Sequence, residues 1–110
     1  MRIHVIKEQT IEDYISRNSQ SRVPFKIWLH KIKDSDWNMP IDLILTFNNA
    51  DLLGKETNRA IFNIGGNKYR MICTYHFGKK RIHLFINWIG THHEYTRLCA
   101  MNKQYTISDY

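Results

Sequence analysis

The sequence predicts a small α+β domain with helices first and an antiparallel sheet last. Two observations carry that reading. Apolar residues recur at a helical spacing up to about Gly54, and from Arg59 onward they recur every second residue. Within the second half, Gly65-Gly66 and Gly78-Lys79-Lys80 cut the alternating stretch into three runs of strand length. Runs of helix followed by runs of strand, rather than an alternation of the two, mark the α+β class. A chain of 110 residues is the size of one domain, spanning 1–110, and can bury a core of its own.

Ile3 to Ile6 alternates enough for one short opening strand. Thr10-Ile11-Glu12-Asp13 reads as a helix start, with Thr10 as cap and acids in the first turn. Ile11, Tyr14 and Ile15 give that helix its apolar stripe, and Asn18-Ser19-Gln20-Ser21 ends it. Ser21 is placed to cap a second helix, in which Phe25, Trp28, Leu29 and Ile32 fall at i, i+3, i+4 and i+7. Pro24 suits its first turn, where a missing N–H costs nothing. Lys26, His30, Lys31 and Lys33 lie off the stripe and read as a solvated face. Pro40 opens a short third helix carrying Ile41, Ile44 and Leu45, which Asn48-Asn49 ends.

The three strands run Arg59 to Ile64, Lys68 to Phe77 and Arg81 to Ile89, as an antiparallel meander. Their inward sets are Ala60, Phe62 and Ile64; then Tyr69, Met71, Cys73, Tyr75 and Phe77; then Ile82, Leu84, Ile86 and Trp88. The opposite face then collects Arg59, Asn63, Arg70, His83 and Asn87. A basic, polar sheet face suits a single-stranded phosphate backbone, although an ordinary solvated face has the same pattern. After Arg97 the pattern is weak, and the tail either packs as a last strand or frays.

Composition agrees with a folded protein, at 43% hydrophobic residues. Sixteen Lys and Arg against ten Asp and Glu leave a net charge of +6, which favours a polyanionic partner. Cys73 and Cys99 match no metal-ligand spacing; Cys73 falls in a strand pattern, where a buried free thiol is the usual explanation and a disulfide the alternative. The six histidines show no His-x₃-His pattern, so neither a metal nor another cofactor is expected. No signal-like apolar segment opens the chain, and no apolar run nears the ~20 residues needed to cross a bilayer. A cytoplasmic protein without membrane contact is the expectation.

The stretch from Arg59 to Ile72, Arg-Ala-Ile-Phe-Asn-Ile-Gly-Gly-Asn-Lys-Tyr-Arg-Met-Ile, resembles the signature of HigB-type toxins of type II toxin–antitoxin systems. Ile89-Gly90-Thr91-His92-His93-Glu94-Tyr95 resembles that family's closing Thr-His-x-Glu-Tyr, and Asp36-Trp37-Asn38-Met39-Pro40 is similar to its tryptophan–proline joint. The resemblance covers Ile3 to about Tyr95. It implies a RelE-like α+β fold and an mRNA interferase, an endoribonuclease of the hydrolase class cutting mRNA on the translating ribosome. It also implies neutralisation by a HigA-like antitoxin carrying a helix-turn-helix. Asn63, Asn67, Arg70, His92 and Tyr95 occupy the family's conspicuous polar positions. The chain departs at Asn87, where a basic residue is frequent, at Thr96, where an acid is common, and at Arg17-Asn18-Ser19, in place of a His-Pro pair.

RNA can be cut without metal when its own 2′-hydroxyl attacks the neighbouring phosphate. Arg70 is the candidate for stabilising the added charge, since a guanidinium matches two phosphate oxygens and stays protonated. Its competing reading is a surface salt bridge. His92 is the candidate general acid or base, because an imidazole titrates near neutrality. Tyr95 completes the catalytic set as a hydrogen-bond donor or a base-stacking ring, or else is a half-buried core aromatic. Arg59, Asn63, Asn67, Lys68 and His83 are the candidate RNA contacts. Glu94 either orients His92 or meets an arginine, and His93, adjacent to His92, serves as a control. Two other readings use the same residues: a non-catalytic basic RNA- or ribosome-binding module, and a protein-interaction domain docking an acidic partner.

Overall fold

A computed structural model describes residues 1–54 and 56–110. The chain forms β1 (Arg2–Ile6), α1 (Gln9–Arg17), α2 (Arg22–Lys33), α3 (Ile41–Thr46), β2 (Asp51–Leu53), β3 (Arg59–Ile64), β4 (Tyr69–Phe77), β5 (Arg81–Thr91) and α4 (His92–Ala100). Short 3₁₀ turns lie at Ser19–Ser21 and Lys103–Tyr105. The five strands make one sheet in the order β1-β5-β4-β3-β2. All neighbours pair antiparallel except β1, which lies parallel to β5 with His4 opposite His83. This is the expected α+β architecture, a helical layer on a mostly antiparallel sheet.

The main core lies between the helices and one sheet face. Ile11 and Ile15 from α1, and Phe25, Trp28, Leu29 and Ile32 from α2, meet Ala60, Phe62, Met71, Cys73, Ile82 and Leu84. Cys73 is buried and free. Trp37 is fully buried at the joint before α3, and its Nε1 donates to Thr46 Oγ1 at 2.8 Å.

Several details differ from the sequence pattern. α1 begins at Gln9 with no side-chain cap; Thr10 is already inside the helix and buried. Ser21 stands at the start of α2 but donates its hydroxyl to the Asn18 carbonyl at 2.6 Å instead of capping. β2, only three residues long, carries too few positions for alternation to reveal it.

The largest difference concerns Trp88. The β4–β5 register shifts between Ile72 and Cys73, so that Ile72 faces Trp88 while Cys73 faces Ile86. One extra residue in β5 flips every later side chain to the other face. Trp88 therefore leaves the helix side, and Ile89 takes its place in the main core.

That flip seeds a second, smaller core on the back face. Ile61, Ile72 and Trp88 are covered there by Leu98 of α4, with Leu53, Tyr95 and Ile107 packed around them. The chain after Arg97 completes α4 and then crosses this face; the Asp109 amide donates to the Asn87 carbonyl at 2.8 Å. The middle of the back face is thus covered, while exposed residues stand toward both its ends, Asn67 and Lys68 at one and His4 and His76 at the other.

Candidate active site

One open end is built by the β3–β4 turn. Gly65 and Gly66 both adopt positive φ, +67° and +68°, a conformation that glycine takes without a Cβ penalty. A Cβ at Gly65 would also press on the Pro24 ring at 3.2 Å. The turn brings Asn67 back over β4. Arg70 Nη2 donates to Asn67 Oδ1 at 2.6 Å, and Nη1 donates to the Tyr69 carbonyl at 3.0 Å. Arg70 is only 7% exposed, and no carboxylate among the described residues forms an ion pair with it. The surface salt bridge considered for it is absent. Its Cα partners are Asn63 on β3 and Gly90 on β5.

The end of β5 closes the other side. Thr91 is the N-cap of α4 in a reciprocal capping box: Glu94 N donates to Thr91 Oγ1 at 3.2 Å, and Thr91 N donates to Glu94 Oε1 at 2.8 Å. Glu94 therefore serves the helix start. The His92 amide donates to the Lys68 carbonyl at 2.9 Å, tying the first residue of α4 to the β3–β4 turn. This bond places the exposed His92 beside the segment Asn67–Arg70. His93, one residue on, leaves the helix about 100° away around its axis.

Gly90 makes the close packing possible. A Cβ there would stand 2.4 Å from the Trp88 ring and 3.0 Å from Glu94 Oε1. Tyr95, one turn into α4, packs against Trp88 with ring centroids 6.1 Å apart and is half-buried. Burial, first of all, pushes the Tyr95 hydroxyl well above its ordinary range; the Cys99 thiol and Asp51 push the same way, and Arg70 opposes them. A neutral phenol that donates a hydrogen bond is the state this environment holds.

Asn67, Lys68, Arg70 and His92 are thus tied together where the β3–β4 turn meets the start of α4, with Asn63 opposite Arg70 on β3 and Tyr95 near enough to feel the Arg70 charge. Two of the expected RNA contacts lie elsewhere. Arg59 is 8% exposed and turned under the closing segment; its Nη1 donates to the carbonyls of Ile107 at 2.7 Å and Gln104 at 3.2 Å. Its guanidinium is occupied by peptide oxygens because Ile107 must be held over the second core. His83 sits at the opposite end of the back face, between His4 and His76. Asn87 accepts from Thr74 Oγ1 at 2.7 Å. Among the described residues no cluster of three or more His, Cys, Asp or Glu could hold a metal ion.

The model of a family described as the RelE-like toxic component of a toxin–antitoxin system, HigB_toxin, matches residues 21–98. The chain belongs to this family. The match runs from the start of α2 into α4 and includes every residue gathered at the open end. A relative from Escherichia coli O6:H1, named mRNA interferase HigB, is 25% identical over 96 residues, covering 87% of this chain and 91% of that protein.

Two features of this toxin-family site escape a reading by single residues. Gly90 has no chemistry of its own, and only the neighbouring Trp88 ring shows why nothing larger fits. The Thr91-x-x-Glu94 capping box, by contrast, stands in the sequence and marks the start of α4.

Proposed function

We propose that this toxin is a metal-independent endoribonuclease that cleaves mRNA on the translating ribosome. The observation that carries the reading is Arg70, a buried cation without a carboxylate partner among the described residues, held by an amide oxygen beside the histidine that opens α4. A guanidinium in that state has donors and uncompensated charge to offer to a phosphate.

In the proposed reaction the RNA 2′-oxygen attacks the adjacent phosphorus, the P–O5′ bond breaks, and a 2′,3′-cyclic phosphate and a 5′-hydroxyl result. His92 is the acid–base residue of the step: the 2′-hydroxyl gives up one proton and the departing O5′ gains one, and the imidazole serves one of these transfers while water serves the other. Arg70 stabilises the charge added to the phosphate oxygens, an effect of about 3–4 kcal/mol for one well-placed donor. Tyr95 donates its hydroxyl hydrogen to the phosphate. Asn63, Asn67 and Lys68 hold the strand, and Asn67 also keeps Arg70 in position. The partner is a HigA-like antitoxin with a helix-turn-helix, and the setting is the cytoplasm. An adjacent reading frame encoding such a protein is the observation that tests the partner.

The enzyme reading is tested by adding the protein to a translating extract with a defined mRNA and mapping new 5′ ends by primer extension. Cleavage should occur with the wild type and with His93→Ala, and should vanish with His92→Ala and Arg70→Ala. A reaction without ribosomes tests the dependence on translation. Intact RNA throughout, despite tight RNA binding by folded protein, would leave a non-catalytic binding module in its place.

A further inference from the structure

The second open end of the back face is unlike the first. His4 on β1, His83 on β5 and His76 on β4 are direct partners in the sheet register, so their side chains stand in one row across three strands. The His76 and His83 rings are stacked with centroids 6.1 Å apart, and the His4 ring meets His83 edge-on at 6.0 Å. Phe85 continues the row along β5, 6.4 Å from His83 and 43% exposed. His4 and His76 are exposed, and His83 Nδ1 is enclosed without a hydrogen-bond partner among the described residues. Apolar residues claim the other sheet face, so nothing in the main core requires imidazoles here.

The acids near this face lie off the row's own strands, with Asp36 held by the Met1 amine and Asp109 on the closing segment. The strand segments Arg2–Ile6, Thr74–Phe77 and Arg81–Phe85 contain no carboxylate. Exposed Lys79, Lys80 and Arg81 flank the row at the β4–β5 turn. Between the row and the closing segment runs a groove of about 400 Å³, walled by Lys7, Phe85, Asn87 and Tyr110. Rings lying on a sheet, with cations at their edge, suit unstacked nucleobases on a phosphate backbone.

We propose that this row is a second binding surface, on which His4, His76, His83 and Phe85 stack bases of single-stranded RNA while Lys79, Lys80 and Arg81 meet its phosphates. The proposal rests on the reading of the protein as acting on RNA, but the surface is distinct from the Arg70 site. Six residues along β4 separate Arg70 from His76, about 20 Å at strand rise. A short oligonucleotide held at Arg70 cannot reach the row, whereas a longer one can.

The test uses 2′-O-methyl RNA, which lacks the attacking hydroxyl, on the full chain. Fluorescence anisotropy compares a decanucleotide with a trinucleotide, and ring resonances of His4 and His76 are followed by NMR. Since stacking on one ring is worth roughly five- to a hundredfold in affinity, His76→Ala or His4→Ala should weaken decanucleotide binding at least fivefold. The same variants should leave trinucleotide binding unchanged, and Arg70→Ala should weaken both. Both histidines are exposed, so these variants should keep the wild-type circular dichroism. Unchanged decanucleotide affinity together with unmoved ring resonances would overturn the second surface while leaving the Arg70 site standing. Ring shifts produced by stoichiometric zinc alone, and not by RNA, would assign the row to a metal and overturn the proposal. If wild type binds neither oligonucleotide and Arg70→Ala makes no difference to cleavage, the parent reading falls as well.

Discussion

Arg59 offers the sharpest separation between a structural and a ligand-binding role for one arginine. Its guanidinium accounts for two contacts that hold the closing segment down, to the carbonyls of Gln104 and Ile107. Hydrogen bonds from a charged group are worth about 1.5–3 kcal/mol each. Arg59→Ala removes both and leaves two carbonyls beside a vacated space, although water reaches them as the segment lifts. A net loss of about 2–4 kcal/mol follows, which for a domain of this size lowers Tm by roughly 9–17 °C. Urea denaturation followed by circular dichroism measures the loss, and amide exchange at Asp109, whose N–H donates to Asn87, locates it. Ile107→Ala loosens the same segment, so the double variant should cost less than the sum of the two single ones. The reasoning is refuted if Arg59→Ala unfolds like wild type, keeps Asp109 protected, and instead loses RNA affinity.

Three further outcomes follow from the geometry. Asn67→Asp should leave the fold intact but place a carboxylate against Arg70, lowering RNA affinity and cleavage at least tenfold; anisotropy and primer extension check it. Gly90→Ala should cost about 1–3 kcal/mol, because its Cβ would meet the Trp88 ring at 2.4 Å, and Trp88→Leu in the same chain should recover part of that loss on denaturation. Burial raises the Tyr14 hydroxyl from 10.0 to about 12, with Glu94 as the next cause. Its folded-state value lies above the unfolded one, so the stability it contributes is complete below pH 10 and declines above it, by about 1.4 kcal/mol per pH unit, until the folded value is reached. Denaturation midpoints between pH 8 and 12 should therefore fall less steeply in Tyr14→Phe.

The α+β layering was legible because each half of the chain obeys one period. Phe25, Trp28, Leu29 and Ile32 are all buried on α2, and the meander's strands begin and end within two residues of their turn signals. What the period could not carry was the bulge in β5. Alternation read through Asn87 puts Trp88 on the helix side, and a single inserted residue reverses it without changing composition. The second core followed from that reversal, and with it the roof that withdraws Arg59. The motif residues around Arg70 were legible as a set, since Asn67 stands in the β3–β4 turn, Arg70 follows at the start of β4, and His92 opens α4. Their mutual placement depends on the bond from His92 to the Lys68 carbonyl, a backbone contact that side-chain identity does not encode.

Arg59 and Arg70 share a sheet face, similar burial and, among the described residues, the absence of a carboxylate partner, yet their surroundings are not equivalent. Taking a guanidinium out of water is costly unless its donors are satisfied and its charge is balanced. Around Arg59 the chain supplies two peptide oxygens from a segment that itself needs anchoring, so that charge is used to close the fold. Around Arg70 the chain supplies one peptide oxygen and the Asn67 amide oxygen, both from its own hairpin, and neither tethers a distant element. An amide at position 67 orients the guanidinium without cancelling its charge, which an aspartate there would do. The two arginines thus mark where the fold is closed and where it is left open, and the open one lies beside His92.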